Sequence, residues 1–151
     1  MTFCAIKISV VIPCFRIGTF LLEAVESVLQ QVGDFEIFEI LIINDHSDDE
    51  ATLHALSVVA ALPSVRVLHN IGPRGSAAAR NCGIREAKGK WIVFLDADDW
   101  MLAGSIQSRA DAARSFPECE WIGGDFISLH RDGSVDVRGR FESNLESYPF
   151  L

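Results

Sequence analysis

The sequence predicts an α/β fold: an open, doubly wound, mostly parallel sheet with helices on both faces and a short mixed-strand region near the C-terminus. Three observations carry that expectation. Short apolar, β-branched runs alternate along the chain with segments of helical period, the signature of parallel strands joined by right-handed helical crossovers. Polar residues cluster directly after the ends of three of these runs, which in a parallel sheet open on one edge. One such run, WIVFLDADDW (Trp91 to Trp100), passes from a continuous apolar stretch straight into Asp96, Asp98 and Asp99.

Ile6 to Ile12 is the first strand, expected to stop at Pro13 because proline donates nothing to a central ladder. Thr19 is placed to cap a helix whose stripe is Leu21, Ala24, Val25, Val28 and Leu29, ending at Gln31 or Val32 before Gly33. Phe38 to Ile43 is a second strand interrupted only by Glu39, and it exits into Asn44, Asp45, His46 and Ser47. Ser47 with Glu50 reads as a capping box, with Asp48, Asp49 and Glu50 in the first turn of a helix reaching about Ala61. Val65 to Leu68 is a third strand. The loop Asn70 to Ser76, with Gly72, Pro73 and Gly75, opens an alanine-rich helix to about Ala87. Arg74 and Arg80 are the cations near its N-terminus. Arg80 has two readings, an anion contact at the helix start or an ordinary surface pair with Glu86 or another nearby carboxylate.

The fourth strand, Trp91 to Leu95, is expected to be buried on both faces, followed by a helix over Ser105 to Phe116. Glu120 to Leu129 reads as a strand bent at Gly123 and Gly124, with a turn at Arg131 to Gly133 and a short strand at Val135 to Val137. The tail from Arg140 shows no periodicity.

Composition narrows the function. With 49% hydrophobic residues in 151, one core is ample. A formal charge of −8 without a Lys/Arg run excludes a phosphate-backbone footprint, so nucleic acid is not an expected partner. Cys4, Cys14, Cys82 and Cys119 form no CxxC pair and read as reduced thiols of a cytoplasmic protein. No stretch reaches membrane-spanning length, and the N-terminus lacks a basic leader, so any membrane contact is expected to be peripheral. His46, His54, His69 and His130 have no ligand spacing.

Like charges as close as Asp96, Asp98 and Asp99 raise one another's pKa values. Oxygen ligands without Cys or His point to a hard ion, Mg2+ or Mn2+. The plainer alternative is a solvated acidic turn in which Asp98 or Asp99 caps the next helix. Neither GxxxxGK[ST] nor GxGxxG is present.

The ordered set ISVVIPCF, LEAVESVLQQ, FEILIINDHSDD, GSAAARNCGIREAKGKWIVFLDADDW and WIGGDFISLHRDGSV resembles the family 2 glycosyltransferases, inverting enzymes of the Rossmann-like GT-A fold that use nucleotide-diphosphate sugars. The resemblance implies that Pro13 and Phe15 sit at the base-binding end of the first strand, Phe15 stacking on the base, and that Asp45 accepts a hydrogen bond from it. It implies that Arg80 lies beside base or phosphates, and that Asp96 and Asp98 form the DxD motif meeting ribose and metal, with Asp99 supplementing or replacing either. A UDP-sugar is the implied donor, and a saccharide or lipid-linked molecule the acceptor. Two departures stand out: Asn44, Asp45, His46, Ser47 replace the usual DDGS, and Arg16 stands where Asn often follows the aromatic.

By the same resemblance, residues 1–139 are the donor-binding domain and 140–151 open an acceptor-side segment, the family's source of the general base, that this chain lacks. Asp125 is assigned a structural or sugar-side role rather than that of the base. The rival readings are a nucleotide-binding module without turnover, a Mg-dependent phosphatase and a receiver-type phosphoacceptor. The phosphatase signature wants Thr or Val where Trp100 stands, and a receiver's acidic pair should follow the first strand, where PCFR stands.

Overall fold

The computed structural model describes residues 5–124, 126–130, 132 and 134–138. Contacts divide the chain into two units, Met1–Ala110 and Asp111–Leu151. In the first, β1 (Ile6–Cys14), β2 (Phe35–Asn44), β3 (Val65–His69) and β4 (Trp91–Phe94) form a sheet of order β3-β2-β1-β4 in which every pairing is parallel. The helices are α1 (Phe20–Leu29), α2 (Glu50–Val59), α3 (Ser76–Glu86) and α4 (Ser105–Ser115). In the second unit, β5 (Phe126–Leu129) and β6 (Val135–Arg138) make an antiparallel hairpin. The predicted strand from Glu120 is shorter than expected, with no strand over 120–124. Asp125, Arg131, Gly133 and the 140–151 tail lie outside the described residues.

Strand alternation separates the sheet into two faces. Ile8, Val10, Ile12 and Cys14 of β1 and Ile40 and Ile42 of β2 pack with Leu21, Ala24, Val25 and Val28 of α1, with Ala55, Leu56 and Val59 of α2, and with Ile106. Val11, Leu41 and Ile43 meet Ala79 of α3 on the other face. There α3 approaches so closely that a Cβ on Gly83 would stand 2.3 Å from Val11 Cγ1.

Several sequence boundaries move, each for a physical reason. Pro13 lies within β1 rather than ending it. The Val11 carbonyl accepts from Leu95 and the Cys14 carbonyl from Asp45, so by alternation Pro13 faces the β4 side, beyond the last β4 pairing. Leu29 is exposed, and Thr19 stands at the α1 N-cap without a side-chain bond. Asp49, not Ser47, caps α2, accepting from Thr52 N. β4 is half-buried, with Phe94 43% exposed, because among the described residues it pairs with β1 alone.

Glu39 is the polar interruption in β2, and a bulge explains it. Ile8 pairs with Ile37 but Ser9 pairs with Glu39, so Phe38 is the extra residue. Unbroken alternation from Ile37 would put Glu39 on the apolar α1/α2 face; the bulge turns it to the α3 face beside Ser9. There, only 4% exposed, it accepts from Ser9 Oγ at 2.8 Å, Arg66 Nη1 at 2.6 Å and Lys88 N at 2.7 Å. Burial pushes its pKa up, but Arg66, the Lys88 N–H and the Ser9 hydroxyl together hold it below the ordinary value.

A folded-state pKa below the unfolded one stabilises the fold above the unfolded value, and that contribution is lost as pH falls through the folded value. Glu39→Gln is therefore expected to cost about 2–3 kcal/mol at neutral pH by leaving Arg66 without its charged partner. It should also flatten the stability loss below the carboxyl's ordinary pKa of 4.5. Urea midpoints for both proteins between pH 7 and pH 3 measure this; parallel curves would contradict it.

Candidate functional site

Parallel strands put the ends of β1, β2, β3 and β4 on one edge, and the predicted site residues gather there. Asp45, the first residue past β2, is 3% exposed. Its Oδ1 accepts from Asn70 Nδ2 at 2.6 Å and its Oδ2 from Gly75 N at 2.7 Å. Asn70 also donates to the Pro73 carbonyl and accepts from Gly72 N, so these two side chains shape the whole loop from β3 to α3. Sequence reasoning missed Asn70. A lone Asn after a strand end reads as ordinary turn chemistry until its partner across the sheet edge is known.

Phe15 follows β1 and is 37% exposed, with the Arg74 guanidinium 4.8 Å and the Arg16 guanidinium 5.4 Å from its ring centre. Arg16 makes a bidentate pair with Asp48, Nε and Nη2 each donating at 2.7 Å. That hydrogen bond holds the Asp48 carboxyl below its ordinary pKa. Asp48 is therefore Arg16's partner rather than a member of the α2 first turn. Burial, helped by the charge of Asp49 and opposed by Ser47, pushes the Cys14 thiol up to about 11, so it remains a neutral packing group at the strand end.

Arg16 and His46 are the described non-glycine residues with positive φ, at 48° and 64°. They are also two of the three positions, with Asn44, at which the chain departs from the pattern it resembles, where the resemblance implies Asn and Gly. Both usual residues accept the left-handed region at low cost. Here hydrogen bonds hold the strained positions: Arg16 N donates to Ser47 Oγ at 3.1 Å, and His46 Nε2 lies 3.1 Å from the Gly72 carbonyl, to which it donates in the Nε2–H tautomer.

After β4, Asp99 N donates to the Asp96 carbonyl, closing a turn that carries all three carboxylates. Arg80, from α3, pairs with Asp96, the ion-pair alternative of its two readings. Asp98 and Asp99 have no cationic partner among the described residues. Desolvation, then the charges of Asp98 and Asp96, raises the Asp99 pKa. Among the described residues no three His, Cys, Asp or Glu side chains close on a common point. The turn nevertheless offers oxygen donors alone and an uncompensated negative charge, which is the donor chemistry of a hard divalent ion.

The model of the family described as "Glycosyl transferase family 2" matches residues 9–133. The chain is 31% identical over 100 residues to "Minor teichoic acid biosynthesis protein GgaB" of Bacillus subtilis (strain 168), covering 66% of this chain and 11% of that protein. It is 27% identical over 141 residues to "UDP-Glc:alpha-D-GlcNAc-diphosphoundecaprenol beta-1,3-glucosyltransferase WfaP" of Escherichia coli, covering 92% of this chain and 52% of that protein. The crystal structure of S. aureus TarS 1-349 in complex with UDP-GlcNAc superimposes with a TM-score of 0.58 at 25% identity, covering 75% of this chain and 32% of that one. The chain thus spans about a tenth to about half the length of these relatives.

His46→Ala keeps the left-handed backbone and loses the Gly72 bond, whereas His46→Gly removes the strain as it loses the bond. The alanine variant is expected to be less stable than the glycine variant by about 1–2 kcal/mol. Thermal or denaturant unfolding of the pair decides it; equal stabilities would mean that the backbone at 46 relaxes out of the left-handed region.

Proposed function

Since the chain belongs to glycosyl transferase family 2, we propose that it is the donor-binding part of a glycosyltransferase, holding a nucleotide-diphosphate sugar, a UDP-sugar by preference, for inverting transfer to a saccharide or lipid-linked acceptor. The observation that carries this reading is the convergence at one sheet edge of Phe15, the Asp45-held loop and the Arg80–Asp96 pair beside an acidic turn. The solved neighbour holding UDP-GlcNAc and the relative named for UDP-Glc support the choice of nucleotide.

In this reading Phe15 gives its ring to the base, with Pro13 fixing the backbone before it, and Asp45 accepts from the base edge with the lone pairs that Asn70 and Gly75 leave open. Arg80 holds Asp96 in place, leaving Asp98 and Asp99 as the principal oxygen donors to Mn2+ or Mg2+, with Asp96 beside them. Such an ion, when bound, supplies Lewis-acid stabilisation to the departing diphosphate. Arg80 and the loop-borne Arg74 add positive charge near the same edge. The general base and acceptor pocket are proposed to come from outside this chain. Among the described residues no helix is long and apolar enough to cross a membrane; a cytoplasmic, membrane-peripheral site of action through the acceptor suits a lipid-linked substrate.

UDP is expected to raise the melting temperature in Mn2+ or Mg2+ and much less in chelator, because a ligand of the folded state stabilises it by mass action. Asp98→Asn should remove the metal-dependent part of the shift while leaving the unliganded melting temperature near its original value. A UDP shift indifferent to chelator would remove the metal from the proposal, and no shift with any nucleotide would remove the donor site.

With the general base and acceptor pocket supplied from elsewhere, as proposed, the 151-residue chain is expected to bind donor yet transfer sugar poorly, since loss of a general base costs about a hundredfold to ten-thousandfold in rate and loss of acceptor positioning about as much again. Assays offering soluble and lipid-linked saccharides with several nucleotide sugars should compare transfer with hydrolysis. Efficient transfer would place the base within residues 1–151.

A further inference from the structure

Two guanidiniums stand over the Phe15 ring, but they are not equivalent. Arg16 is tied by both Nε and Nη2 to Asp48. Arg74 is exposed and makes no hydrogen bond or ion pair among the described residues; besides the ring, it acts through its field on Asp48. The backbone that carries Arg74 is fixed on both sides, by Asn70 to Gly72 and Pro73, by His46 to Gly72, and by Asp45 to Gly75. The loop's backbone is thus held by several hydrogen bonds, while the Arg74 side chain, without a polar partner among the described residues, rests on the ring that a nucleobase would use.

The other strand-end arginines are already engaged, Arg16 by Asp48 and Arg80 by Asp96. A diphosphate arriving beside Asp96, Asp98 and Asp99 in a chain of formal charge −8 needs a cation that is not already paired. Arg74 is that cation, and its planar fork matches phosphate oxygens.

We propose that Arg74 is an exchangeable cover for Phe15: its guanidinium occupies a stacking face of the ring in the donor-free chain, an incoming base displaces it, and the freed cation turns to the diphosphate of the same nucleotide. The inference rests on the donor-binding reading and names the side chain that couples base entry to phosphate engagement. A guanidinium and a base cannot share one ring face. An exposed cation–π contact is the weaker of the two, so the exchange runs toward the stacked base.

The test compares uridine with UDP on the 151-residue chain and its Arg74→Ala variant, by NMR titration and calorimetry in one Mg2+ buffer. Uridine, which meets only the cover, is expected to bind about two- to fivefold tighter to the variant. UDP, which also loses the freed cation, should bind about tenfold weaker or worse. Uridine binding that is unchanged or weakened by the substitution, with UDP still bound by the unsubstituted chain, overturns the cover while the donor site stands. UDP binding unaffected by the substitution overturns the transfer of the cation to phosphate. Failure of the unsubstituted chain to bind either ligand overturns the donor reading and this exchange with it.

Discussion

Helix α3 depends on two buried carboxylates, one within β2 and one just past its end, and the site depends on α3. The helix buries little apolar surface of its own, chiefly Ala79 and Gly83. Its N-terminal end is held by Asp45, which accepts from Gly75 N, and its C-terminal end by Glu39, which accepts from Lys88 N, while Arg66 adds a bond to the Glu86 carbonyl. Both carboxylates belong to the β2 segment, one inside it past the bulge and one just beyond its end. Charge-assisted bonds to backbone N–H groups are roughly twice as strong as neutral ones and directional, so they fix position where a thin apolar face cannot. Small residues at 79 and 83 then let the helix settle onto Val11 and Leu41. Arg80 is thereby delivered to Asp96 at the opposite side of the strand-end row.

The bulge at Phe38 is what allows the arrangement. A glutamate in a central strand with apolar packing on both faces would be severely penalised if it faced the α1/α2 core. One extra residue moves it to the face where Ser9, Arg66 and the α3–β4 connection supply donors, and Gly89 N in turn donates to the Ser9 hydroxyl. A Cβ at Gly89 would meet Ser9 N at 2.4 Å, so the close approach of that connection is set by the same cluster.

The loops around the site show a second economy. Arg16 and His46 occupy backbone conformations that the family's usual Asn and Gly adopt at little cost, and each is compensated by bonds to a neighbouring loop. Ser47, which the sequence suggested as a helix cap, instead accepts from Arg16 N, and Asp49 takes over the cap. Three loops that merely adjoin in a generic parallel sheet are here cross-linked through Arg16–Asp48, His46–Gly72 and Asp45–Gly75. The strand-end loops are thereby tied to one another by their own residues.

Periodicity and strand-end polarity were enough to give the parallel sheet, the helices on both faces, and the positions of Asp45, Arg80 and the Asp96–Asp99 turn, because those signals are local: alternation, apolar runs and motif spacing lie within a few residues of one another. The motif order also carried the family resemblance. Tertiary structure alone decided which readings of the polar residues hold. Arg80 pairs with Asp96 across 16 positions, Arg16 with Asp48 across 32, and Ser9 with Glu39 across 30. Such partners are set by strand register and by a single bulge, and a one-residue shift in register exchanges the two faces of the sheet. Local pattern cannot choose between those registers; the burial of two whole faces at once does.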